Sequence, residues 1–115
     1  MPENNSLTYA VSDGAKEGTT IVTLDGPLTI ANMFQLQNEL RAMKPACLII
    51  DMASVPYMDS AGLGVIMNCF VSAQGGGRKL LLAGVNERVR SLFEMTKVDT
   101  VLQTCETVAA AESLA

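Results

Sequence analysis

A chain of 115 residues is long enough to bury roughly two-thirds of its unfolded surface in one core, and short enough to be a single domain, taken here as residues 1–115. Its net charge of −4 speaks against nucleic acid as a partner, because binders of nucleic acid carry a basic face. It contains no histidine, which excludes Ser-His-Asp and Cys-His catalysis, Cys/His zinc sites and a phosphohistidine relay.

Cys47, Cys69 and Cys105 are odd in number and set apart among apolar neighbours, so reduced core thiols are expected, with no metal and no cofactor. The stretch Met1–Asn5 has neither the basic start nor the apolar run of a signal peptide. Apolar runs elsewhere fall far short of the ~20 residues that cross a bilayer. The expectation is a soluble cytoplasmic protein with no membrane insertion.

In chain order, Leu7 to Val11 and Thr19 to Leu24 read as strands. The turn-rich Ser12-Asp13-Gly14-Ala15-Lys16-Glu17-Gly18 between them suggests a hairpin. Asp25-Gly26-Pro27 breaks the pattern. From Thr29 to Met43, Met33, Leu36, Leu40 and Met43 recur at helical spacing, with Thr29 as a candidate cap. Lys44-Pro45 ends that helix, because a residue before proline is pushed out of the α region.

Leu48 to Met52 is a continuous apolar run carrying one acid, Asp51, as expected of a strand covered on both faces. A second helix follows Ser60, with Leu63, Ile66, Met67, Phe70 and Val71 forming its apolar stripe. Gly75-Gly76-Gly77 stops it. Lys79 to Ala83 is another buried strand. Asn86 caps a third helix striped by Val85, Val89, Leu92 and Phe93.

Val101 to Cys105 is a short last strand, and Thr107 to Leu114 a short helix. Met33, Met58, Met67 and Met95 fit core filling. Two strands followed by alternating helix and strand predict an α/β domain. Its mixed, mostly parallel β-sheet has about five strands, with about four helices. No exposed apolar patch is predicted.

The chemistry of the chain concentrates at Met58-Asp59-Ser60-Ala61-Gly62-Leu63-Gly64, where a strand turns into a helix. Asp59 and Ser60 are both good N-cap residues, and the glycines let a helix pack closely. A dinucleotide loop would put its third glycine at Met67. A hydrolase elbow would need glycine where Met58 stands, and a histidine base. Ser60 is thus left as a cap or a phosphate acceptor, since a helix N-terminus tolerates an anion.

Leu48-Ile49-Ile50-Asp51-Met52 and then Val55-Pro56-Tyr57-Met58-Asp59-Ser60-Ala61-Gly62-Leu63-Gly64 resemble the signature of the STAS domain, typified by anti-sigma-factor antagonists. Gly77-Arg78-Lys79-Leu80-Leu81-Leu82-Ala83-Gly84 and the helix from Asn86 to Thr96 match it further. The likeness runs from about residue 7 to 114. It implies a regulator without catalysis of its own. That regulator would bind an anti-sigma factor which is a serine kinase of the histidine-kinase-like ATPase fold. Phosphorylation at Ser60 would switch binding off, and a serine phosphatase would reset it.

The resemblance places Asp25, Asp59, Ser60, Ala61, Gly62 and Leu63 at the partner-binding face. Asp25 is only a partial match to the Gly-x-Leu-Asp element of the antagonists. The wording Gly26-Pro27-Leu28…Ala31-Asn32 is closer to STAS domains attached to anion transporters. A non-switching scaffold in a transporter or sensor complex is therefore an alternative, as is a module binding a nucleotide or lipid. Arg88 and Arg90 read as solvated, or as facing a phosphate or an acidic partner.

Overall fold

The structure, a computed structural model, describes residues 6–115; the Met1–Asn5 stretch lies outside the described residues. The elements run β1 (Thr8–Asp13), β2 (Thr19–Asp25), α1 (Met33–Ala42), β3 (Cys47–Ser54), α2 (Ser60–Gly75), β4 (Lys79–Ala83), α3 (Glu87–Met95), β5 (Gln103–Cys105) and α4 (Val108–Glu112).

The strands form one sheet in the order β1-β2-β3-β4-β5. Among the described residues only the β1–β2 hairpin is antiparallel; the other three strand pairings are parallel. Three successive crossovers step in one direction. Right-handed connections then put α1, α2 and α3 on the same face of the sheet.

The pleat explains why β3 and β4 read as unbroken apolar runs. Side chains of a strand alternate between faces. Leu48, Ile50, Met52, Leu80 and Leu82 join the main core under the three long helices, with Leu36, Leu40, Ile66, Val89 and Phe93. Cys47, Ile49, Leu81 and Ala83 face the other way and are covered by Ala111 of the five-residue α4. Asp51 lies on that thinly covered face and accepts a hydrogen bond from the Ala53 N–H at 3.1 Å, a local structural role.

Helix ends follow the local chemistry closely. Gly77 takes φ +70°. Its N–H reaches the Gln74 carbonyl and the Arg78 N–H reaches Ala73, the paired bonds of a Schellman stop. Asn86 caps α3, its Oδ1 accepting from Val89 N–H at 2.8 Å. Thr107 does the same for α4 toward Ala110.

Several expectations need correction. α1 starts at Met33, four residues after the expected cap Thr29, because the N–H of Ile30 is claimed by a distant carboxylate and residues 29–32 form a turn. Val85 lies ahead of α3. β5 begins at Gln103, because Val98 to Leu102 forms a further turn after α3, with the Val101 and Leu102 N–H groups both donating to the Val98 carbonyl. Met95 is 79% exposed and Val71 63% exposed, outside the core. Val71, eight residues from Leu63, has drifted about 80° around a helix that advances 100° per residue.

Candidate functional site

Three loops meet beyond the carboxyl ends of the parallel strands, where ligands of open α/β sheets are generally received. They follow β2, β3 and β4. Leu28 forms an isolated parallel bridge with Met58. Its N–H donates to the Tyr57 carbonyl at 3.2 Å, and its carbonyl accepts from the Asp59 N–H at 3.3 Å. Asn86 ties in the third loop, donating from Nδ2 to the carbonyls of Val55 and Pro56 at 3.0 and 3.2 Å.

Asp59 is the hub. One carboxylate oxygen accepts from the Gly62 N–H at 2.9 Å, the N-cap bond of α2, and the other from the Ile30 N–H at 3.1 Å. Partial burial disfavours the charged carboxylate. The N–H groups of Gly62, Ile30, Ala61 and Asp59 itself more than offset this, so its pKa lies below the usual carboxylate range. Both oxygens are therefore engaged in bracing the loop against the helix.

With Asp59 as the cap, Ser60 becomes the first residue of α2 and does not cap it. Its side chain is exposed, and its hydroxyl has no hydrogen-bond partner among the described residues. Ala61 is half-buried beside it. One helical turn on, Gly64 is exposed with nothing within 4 Å of where a Cβ would stand. The hydroxyl therefore sits on open, flat ground.

Gly62 and Leu63 turn inward. A Cβ on Gly62 would lie 2.2 Å from the Leu28 carbonyl oxygen, so only glycine lets the helix approach the loop. Leu63 is 8% exposed and belongs to the main core. Asp25 is exposed at the end of β2, opposite Ser54 in register. It lies at the carboxyl ends of the strands, as does the loop between β3 and α2 that leads into Ser60.

Two features escaped the sequence. Ile30 and Phe34 are 56% and 62% exposed, and Ile30 is bonded through its backbone to Asp59. Apolar surface therefore reaches the neighbourhood of the serine, which nothing in the sequence predicted. Arg88 is not merely solvated either: its guanidinium stacks 5.0 Å from the Tyr57 ring centroid, three residues before Ser60.

Burial works against thiolate formation at Cys47 and Cys69. Burial pushes the Cys69 pKa up to about 11, with Arg78 offsetting little of it, and burial raises Cys47 as well. All three cysteines are free; Cys47 is buried, while Cys69 and Cys105 are partly so. Among the described residues, no three His, Cys, Asp or Glu side chains gather as a metal site. No described helix is long and apolar enough to cross a membrane.

A five-stranded, mostly parallel sheet with its long helices on one face, and an acid-capped serine at the start of α2, define a single class. The family model for the STAS domain matches residues 11–111, and the chain belongs to the STAS-domain family. The anti-sigma-B factor antagonist of Listeria monocytogenes is 39% identical over 54 residues, 47% of this chain and 47% of that protein. The chain thus spans about half the length of the Listeria relative it matches.

The anti-sigma-B factor antagonist of Staphylococcus aureus is 26% identical over 88 residues, covering 74% of this chain and 82% of that one. An anti-sigma factor antagonist from Mycobacterium paratuberculosis superposes with a TM-score of 0.87 at 20% identity, over 99% of this chain and 97% of its own. That likeness shows the shared fold.

Proposed function

We propose that the protein is an anti-sigma-factor antagonist that works by binding an anti-sigma factor. Phosphorylation of Ser60 by that partner, a serine kinase of the histidine-kinase-like ATPase fold, would end the binding. The observation that carries this reading is the Ser60 hydroxyl: exposed, unbonded and relieved of capping by Asp59. The names of the Listeria and Staphylococcus relatives support the same role. On this reading the protein is a regulator without catalysis of its own, and a serine phosphatase restores it.

The edge offers a partner two kinds of contact. Ile30, whose N–H is bonded to Asp59 beside the serine, supplies exposed apolar area, and Phe34 adds more at the start of α1, of the kind that anchors interfaces. Asp25 and Ser60 supply polar atoms on the same edge, with Asp59 behind them. Gly62 and Leu63 contribute by holding α2 against the Leu28 loop.

The switch follows from charge. A phosphate adds roughly −1.5 to −2 at neutral pH. On the first turn of α2 it meets the positive end of the helix dipole, which the fold tolerates. It also stands beside the ionised Asp59 and next to apolar Ile30, so a docked partner would have to desolvate a concentrated negative patch. Moving an equilibrium from 99:1 to 1:99 takes about 5.5 kcal/mol, within reach of an unpaired dianion in an interface.

Incubation with ATP and an anti-sigma-factor serine kinase from the same cell should add one phosphate, mapped to Ser60 by mass spectrometry and absent from Ser60→Ala. If such a kinase neither binds nor modifies the protein, the reading fails.

A further inference from the structure

The opposite end of α2 carries a second feature, roughly 24 Å from Ser60 for a helix of this length. A cleft of about 520 Å³ opens between the C-terminal halves of α1 and α2, a size typical of small-ligand sites. Leu40, Leu48, Val65 and Ala73, each nearly buried, line it from the core, and Val71 at 63% exposure forms an apolar rim.

Its charge is the reverse of the protein's. Of the eight Lys and Arg in the chain, Arg41, Lys44, Arg78 and Lys79 line this one cleft, and no Asp or Glu among the described residues does. Lys79 is set aside, because its ammonium is held by the Leu114 carbonyl at 2.8 Å. Arg78 is partly engaged: Nη2 donates to the carbonyl and hydroxyl of Ser72. Arg41 and Lys44 have no ion pair or hydrogen-bond partner among the described residues.

Cations at helix C-termini often serve only to offset the dipole, and both α1 and α2 end here. Each end amounts to about half a negative charge. Two ends therefore cancel about one of the three available cations, leaving about two positive charges unanswered. An apolar trough with surplus positive charge, in a protein of net −4, is complementary to an amphiphilic anion. We infer that this cleft binds a fatty carboxylate, its chain lying along Leu40, Val65 and Val71 and its headgroup at Arg41 and Lys44.

The test is calorimetric titration with decanoate, kept below its micelle-forming concentration, together with amide chemical-shift mapping. One saturable site is expected, with shifts centred on Lys44, Asn68 and Val71. Decanol should bind about tenfold more weakly or worse, the scale of one lost charge-assisted contact. The Arg41→Gln/Lys44→Gln variant, altered only at exposed side chains, should lose a comparable factor while staying folded, its Tm lowered by no more than a few degrees through the lost dipole complement.

Absence of saturable binding overturns the inference. So does decanol binding as tightly as decanoate, or the double variant binding unchanged. Sedimentation with phosphatidylglycerol vesicles without affinity for dissolved decanoate would assign the face to a membrane surface, and also overturns it.

Discussion

At its N-terminus α2 meets the rest of the protein through an acid with both oxygens engaged and a glycine with no room for a methyl group. At its C-terminus it ends on a glycine in open space and an arginine turned back onto the Ser72 carbonyl. The first end depends on contacts across the chain, with Leu28 and Ile30; the second is built from its own few residues. The tertiary end holds one serine rigidly with its hydroxyl free. The local end stops the helix and leaves space beside it.

This difference is best broken at its glycines. Gly62→Ala drives a Cβ into the Leu28 backbone carbonyl, where no side chain can give way. It should cost about 3 kcal/mol or more, seen as a large fall in the urea midpoint. An unchanged midpoint would mean that the loop is not held against the helix.

The next effect belongs to the cap. Asp59→Asn keeps the shape but removes the charge, and Asp59→Ala removes the cap, at a cost of about 1 kcal/mol. Because the folded-state pKa of Asp59 is lowered, its carboxylate contributes fully at neutral pH. That contribution fades as pH falls below about 4, the ordinary aspartate value. The stability gap between wild type and Asp59→Asn should thus be widest near pH 7 and close in acid. A gap that widened on acidification would contradict the bonding found.

At the other end, Gly77→Ala places a Cβ at φ +70° with no clash beyond the backbone's own. About 1 kcal/mol of destabilisation follows, the cost of the left-handed conformation. Smallest, and opposite in sign, is Gly64→Ala. An exposed helical glycine with open space around it should gain up to about 1 kcal/mol on becoming alanine, a rise of about 4 °C in Tm. If the stabilised variant also bound its partner less well, the bare ground beside Ser60 would be part of the interface.

The sheet and α2 were legible in the sequence because their signals are local. Apolar runs marked β3 and β4, Asp59 marked a helix start and three glycines marked its end. The start of α1 was not legible, because Thr29 is a good cap by itself and only the Ile30–Asp59 bond, 29 residues apart, shows why the chain turns there instead. Asp59 and Ser60 were both cap candidates. Choosing between them required the bonds to Gly62 and Ile30, which no spacing encodes. Ile30 and Phe34 lie outside the apolar stripe of α1, and only the Ile30–Asp59 bond shows that exposed Ile30 stands next to the serine.

The claim on which the rest turns is that the state of Ser60 governs partner binding while the fold stands. The most direct measurement is the affinity of the proposed anti-sigma partner for the protein before and after stoichiometric phosphorylation, with a thermal melt of each form. The account predicts a loss of about a thousandfold or more, about 4 kcal/mol, with Tm changed by no more than a few degrees. Equal affinity for both forms would contradict it, and so would a loss of binding that came with loss of the fold.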